Sequence, residues 1–129
     1  MDTKTNILQT FKNCLVQFLD ELITQFPEEA DLIVFRILVK DKIAIDEVIK
    51  VVSHTLTKND NELKNMIHQR NEKFFLEHDF LSGIIDADKE KINKFKKLWR
   101  SERLDSDDKE AVWNWLDNFV IICDRYLKL

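Results

Sequence analysis

Three histidines, two cysteines and one dense run of lysine and arginine are the side chains of this chain best suited to chemistry. A helix that holds a metal ion presents ligands at i and i+4, or pairs cysteines at short spacing. His54, His68 and His78 never stand at such a spacing, and no HExxH is present. Glu77, His78 and Asp79 are close enough to meet a cation, but a solvated loop accounts for the same three residues, so no metal site is expected. Cys14 and Cys123 have no histidine nearby in sequence to draw off a proton, and there is no GxSxG element for a serine nucleophile. A single glycine cannot build a phosphate-cradling loop or a dinucleotide fingerprint. No catalytic residue and no cofactor is assigned, and the chain is not expected to be an enzyme.

The cationic run is Lys89–Arg103, with seven Lys or Arg against two Glu, a local net of +5 that leaves −9 for the rest of the chain. A basic helix can track phosphates while its aromatics stack on bases. Lys94, Lys97 and Arg100 are therefore the candidate surface for a nucleic acid or an acidic partner. The competing reading is a solvated basic face over a buried stripe of Ile92, Phe95 and Trp99, which recur at helical spacing. The overall charge of −4 opposes a polyanion. Replacing Lys94, Lys97 and Arg100 with glutamine is thus expected to change neither fold nor binding. Trp115 and Phe119, four apart, are read as core, and Trp115→Ala is expected to cost about 3–5 kcal/mol. Trp113 points about 200° from Trp115 on a helix, which makes it the expected exposed aromatic and a fourth candidate contact residue.

The elements that carry these residues are helices. One glycine and one proline in 129 residues leave no supply of hairpin and tight-turn residues. Leu8, Phe11, Leu15, Phe18 and Leu22 alternate by three and four, predicting a first helix from about Thr5 to Phe26. Pro27, Glu28 and Glu29 read as the start of a second. That second helix is apolar nearly all round, which places it at the centre of the fold. Further helices are expected over Ile43 to Leu56, from a capping box at Asn59 and Glu62, over Asn71–His78, after Asp86 or Asp88, and from a Ser106 cap onward. The only glycine places the principal loop in residues 78–88. The expected architecture is an all-α single domain of five to seven helices. Cys14 and Cys123 read as small buried thiols, a disulfide between the first and last helices being the alternative. No apolar run approaches a membrane span and no signal peptide is visible, which suggests a reducing compartment.

The second half resembles a family. NEKFFLEHDF, KINKFKKLWRS and SDDKEAVWNWLDNFVIICDRY look like small helical proteins of nucleocytoplasmic large (giant) DNA viruses. The shared elements are Phe74, Phe75, His78 and Asp79, then Leu98 and Trp99, then Ser106, Lys109 and Trp113, with a corner like Phe26–Pro27 upstream. The resemblance covers Asn71 to Leu129 well and the first 56 residues loosely. It implies a viral protein of the host cytoplasm or the virion, and it transfers no activity and no site residue. Taken together, a non-enzymatic protein that binds viral or host protein partners is the expected function. A nucleic-acid-associated protein using residues 89–103 and a structural virion component are the alternatives.

Overall fold

The computed structural model describes residues 3–77 and 89–129, and for Lys89, Lys91, Ile92 and Phe95 the backbone alone. The fold is all-α, with no strand among the described residues. α1 spans Thr3–Gln25, α2 Ala30–Ile37 and runs on into a π-helical turn, Leu38–Lys42. α3 spans Ile45–His68, α4 Glu72–Glu77, α5 Lys89–Arg100 and α6 Ser106–Leu127. The expected principal loop and the Asp86 and Asp88 caps lie outside the described residues.

The main core lies where α1, α3 and α6 meet. Phe11 from α1, Ile49, Leu56, Leu63 and Ile67 from α3, and Phe119, Ile122 and Cys123 from α6 are buried together. Phe11 meets Phe119 edge-on at 5.7 Å between ring centres, and Phe18 stacks on Trp115 at 5.9 Å. These contacts are the apolar stripes of the sequence brought face to face, and their burial from water is the principal stabilising force. A smaller cluster forms at one end, with Phe26, Leu32 and Leu104 buried beneath Leu22, Ile23, Leu98 and Trp99.

The connections show which local signals prevail. Residues 26–29 form a turn in which the Glu29 N–H donates to the Phe26 carbonyl at 3.1 Å, with Pro27 at the second position that its fixed φ favours. α2 therefore begins at Ala30 rather than at Pro27, and its N-cap Glu29 makes no side-chain cap. α2 also does not occupy the centre. Leu32 and Val39 face inward at 3% and 0% exposure, while Ile33, Val34, Ile37 and Leu38 face out. The helix packs on one flank of α1, and among the described residues its second apolar face stays exposed.

α3 contains a break. Lys58 is extended, and Asn59, Asp60 and Asn61 follow with φ of 55°, 57° and 64°. Left-handed backbone is tolerated by Asn and Asp better than by other residues with a Cβ, which explains this composition in a chain with one glycine. Two helical runs, 45–57 and 62–68, result. Asn59 does not act as the expected capping box: it reaches Glu62 only side chain to side chain, at 3.4 Å.

α3 then ends in a Schellman motif. The Asn71 N–H donates to the Met66 carbonyl and the Arg70 N–H to the Ile67 carbonyl, both at 3.0 Å. Its left-handed residue, usually glycine, is Arg70, with φ 55°. α6 opens on a full capping box between Asp105 and Asp108, one residue before the expected Ser106.

Candidate functional site

Two cations of the basic segment, Lys94 and Arg103, are held from within the molecule. Lys94 Nζ lies 2.9 Å from Glu29 and 3.6 Å from Asp31, both at the start of α2. The Glu29 carboxylate beside it holds the Lys94 ammonium above its ordinary range, with Asp31 adding to the effect. Arg103, just past α5, pairs with Glu28, donates to the Gln25 carbonyl at 2.7 Å and stacks over the Phe26 ring at 4.6 Å. It thereby satisfies an orphan carbonyl at the end of α1 and shields a buried aromatic with its guanidinium. The acids that answer the basic segment are thus Glu28, Glu29 and Asp31, distant in sequence. Lys97 and Arg100 remain exposed on the last turn of α5, where cations complement the helix dipole.

Trp113 is not an exposed contact residue. It is 6% exposed, edge-on to Phe75 at 5.1 Å and to Trp99 at 5.4 Å between ring centres. The reason is geometric. Trp113 and Phe119 stand about 120° apart on α6, and the first turns of that helix are covered on two sides. One stripe meets α1 and α3, and the other meets the aromatics of α4 and α5. Trp115, expected as core, is only partly buried. Its indole stacks between Phe18 and Phe119 while its N–H donates to Glu21.

Around Trp113 the polar groups form a closed set. Trp99 Nε1 donates to Glu72 at 2.6 Å, and Lys109 Nζ donates to the same carboxylate at 3.2 Å while lying 5.4 Å from the centre of the Trp99 ring. Burial on its own raises the Glu72 carboxyl, but the hydrogen bonds from Trp99 and Lys109, with the Lys109 and Arg100 charges, outweigh it and hold the group below its ordinary range. A carboxylate depressed on folding stabilises the fold above its unfolded pKa and loses that contribution as pH falls through the folded value. Glu72 is 44% exposed at its side chain, so solvent screening limits the effect. The wild-type advantage over Glu72→Gln is expected to be about 0.5–1 kcal/mol at neutral pH. It should shrink steadily below about pH 4, near the ordinary Glu value. Paired urea titrations from pH 7 to 3 measure it, and a constant difference across that range refutes the assignment.

Neither cysteine is poised to react. Both are free. Burial pushes the Cys123 thiol up to about 11, an effect that the Ser53 hydroxyl only partly offsets, and burial raises Cys14 as well. Both remain thiols at neutral pH, the form that is neither nucleophile nor metal ligand. Among the described residues no group of three His, Cys, Asp or Glu is arranged to hold a metal ion. Glu77 with His78 and Asp79 falls partly outside the described residues. No described helix is long and apolar enough to cross a membrane.

The surface feature that sequence reasoning missed is the outer face of α2. Ile33, Val34, Ile37 and Leu38 are 41%, 53%, 46% and 37% exposed on a single helical face. The signal was present: an eight-residue helix apolar on nearly every side holds more hydrophobic surface than one flank of α1 can cover. Comparison with protein-family models, with curated proteins and with solved structures finds no match.

Proposed function

We propose that the protein works by binding other proteins, through the outer face of α2, without chemistry of its own. The observation that carries this reading is the contiguous aliphatic row Ile33, Val34, Ile37 and Leu38 on the outside of the fold. Apolar patches rimmed by charge mark protein contact sites, and burying this one in a partner recovers free energy that folding leaves unused. Nucleic acid is the weaker reading. Lys94 and Arg103 already neutralise acids of the same molecule, and the chain as a whole is anionic. The resemblance of Asn71–Leu129 to giant-virus helical proteins supports partners of viral or host origin, met in the host cytoplasm or in the virion.

Affinity capture from infected cells, with quantitative mass spectrometry, tests the proposal in three forms of the chain. Val34→Glu, which places a charge at the most exposed point of the row, is expected to reduce specific partners at least tenfold. The triple variant Lys94→Gln, Lys97→Gln, Arg100→Gln is expected to retain them. The reverse pattern, with nucleic acid or acidic proteins lost only in the triple variant, would return the function to α5.

A further inference from the structure

The row on α2 has a charge frame with a direction. Its start is acidic, with Glu29 at the N-cap and Asp31 in the first turn, and the π turn at its other end has a net positive charge, with Lys40 and Lys42 on either side of Asp41. Arg36, between them, is already engaged with Asp20, whereas Lys40 and Lys42 are exposed. Asp31 keeps 40% of its side chain in water although Lys94 lies nearby, so it retains acceptor capacity toward a further cation. A partner that covers the row must therefore bring an apolar stripe with a basic end over Asp31 and an acidic end over Lys40 and Lys42.

The same helix turned end for end meets that description. We propose that the outer face of α2 and its π turn pairs antiparallel with α2 of a second copy of this chain, about a twofold axis passing near Phe35 and Arg36. This rests on the reading of that face as a protein-binding surface and names its occupant. In such a pair Ile33 lies against the partner's Leu38 and Val34 against the partner's Ile37. Asp31 faces the partner's Lys40 and Lys42, and the symmetry repeats each contact. The two helix dipoles oppose one another, and the net positive end of each, Asp41 included, meets the net acidic end of the other. A parallel arrangement would bring acid to acid and base to base.

Size sets the strength. Thirteen residues rising about 1.5 Å each give a strip about 20 Å long, on the order of 400 Å² per copy. That falls below the roughly 1,200 Å² total of stable complexes, so the dimer is weak and exchanging, with Kd in the range of about 10–500 μM.

Sedimentation velocity on the full chain, from about 5 to 500 μM at low salt, is the test, with folding of each variant checked by thermal melting. The wild type is expected to shift from monomer toward dimer across that range, and Val34→Glu to weaken the dimer at least tenfold. Asp31→Lys alone, and Lys40→Glu with Lys42→Glu, each set like charges together at both symmetric positions and are expected to be monomeric. Mixing these two variants in equal amounts restores opposite charges at both positions, so a mixed dimer should reappear. Monomer at every concentration overturns the pairing, as does a dimer insensitive to Val34→Glu or a mixture that stays monomeric. A monomeric chain that still captures other proteins through Val34 overturns self-pairing and leaves the protein-binding reading intact. Loss of both overturns both.

Discussion

Trp113→Ala is expected to destabilise the protein by about 3–5 kcal/mol, the cost of removing a large aromatic from a packed interior. Trp113 is 6% exposed and links three elements: Phe75 on α4, Trp99 on α5 and the guanidinium of Arg70, 5.9 Å from its ring centre. Each aromatic pair adds about 0.5–1.5 kcal/mol beyond the area it buries. Truncation also leaves a cavity that cannot close without moving α4 and α5 together. The loss corresponds to a fall in Tm of roughly 10–20 °C for a chain of this size. Trp115→Ala, in contrast, removes a side chain that is already partly in water and should cost about 1–2 kcal/mol. Thermal or urea unfolding of the two variants side by side decides it. Equal losses, or a larger loss at Trp115, would show that α6 is turned differently from the arrangement described.

The second large effect is expected at Arg70, where backbone and side chain pull in opposite directions. Its left-handed φ of 55° costs about 1–2 kcal/mol for a residue with a Cβ. The side chain offsets this by pairing with Asp117 at 2.7 Å and Glu110 at 3.4 Å, donating to Asn114 at 3.3 Å and lying over Trp113. The hydrogen bond to Asp117, helped by the charges of Asp117 and Glu110, outweighs the opposing effect of burial and holds the guanidinium still further above its already high range. Arg70→Ala loses those partners and keeps the strain, so it should cost about 2 kcal/mol. Arg70→Gly loses the same partners but relieves the backbone, and should recover about 1 kcal/mol of that loss. The ordering wild type, then Gly, then Ala is the signature, readable from urea midpoints. Equal stability of the two variants would exclude a left-handed residue at this helix end.

Much of the helical framework was legible in the sequence because period is a local property. Leu8, Phe11, Leu15, Phe18 and Leu22 lie in α1, and the helix signals in residues 45–52 and 106–127 correspond to α3 and α6. What could not be read was how many neighbours each helix would have. Trp113 looked exposed because one stripe of α6 was assumed to be its whole buried surface, whereas α6 is covered on two sides near its start. α2 looked central because apolar residues on nearly all sides suit a core helix and a helix with one exposed apolar face equally well. The cations Lys94 and Arg103 were legible as part of one basic run, but their acidic partners at residues 28–31 lie more than sixty positions away in the sequence. Arg70 gave no signal, since arginine is not the residue that left-handed helix ends usually select.

The meeting of α1 with α6 also governs how fast this molecule finds its shape. The Trp115 hydrogen bond to Glu21 closes a span of 94 residues, and Phe11 meets Phe119 across a longer one. Helical proteins usually fold within microseconds to milliseconds because their contacts are local. Here the central seam joins opposite ends of the described chain, and the entropy of closing so long a loop must be met before the apolar gain arrives. The rate of folding should accordingly lie at the slow end for an all-helical protein. Until α6 docks, α1 and α3 present Phe11 and Ile49 to water, and the half-assembled chain is the form most exposed to aggregation.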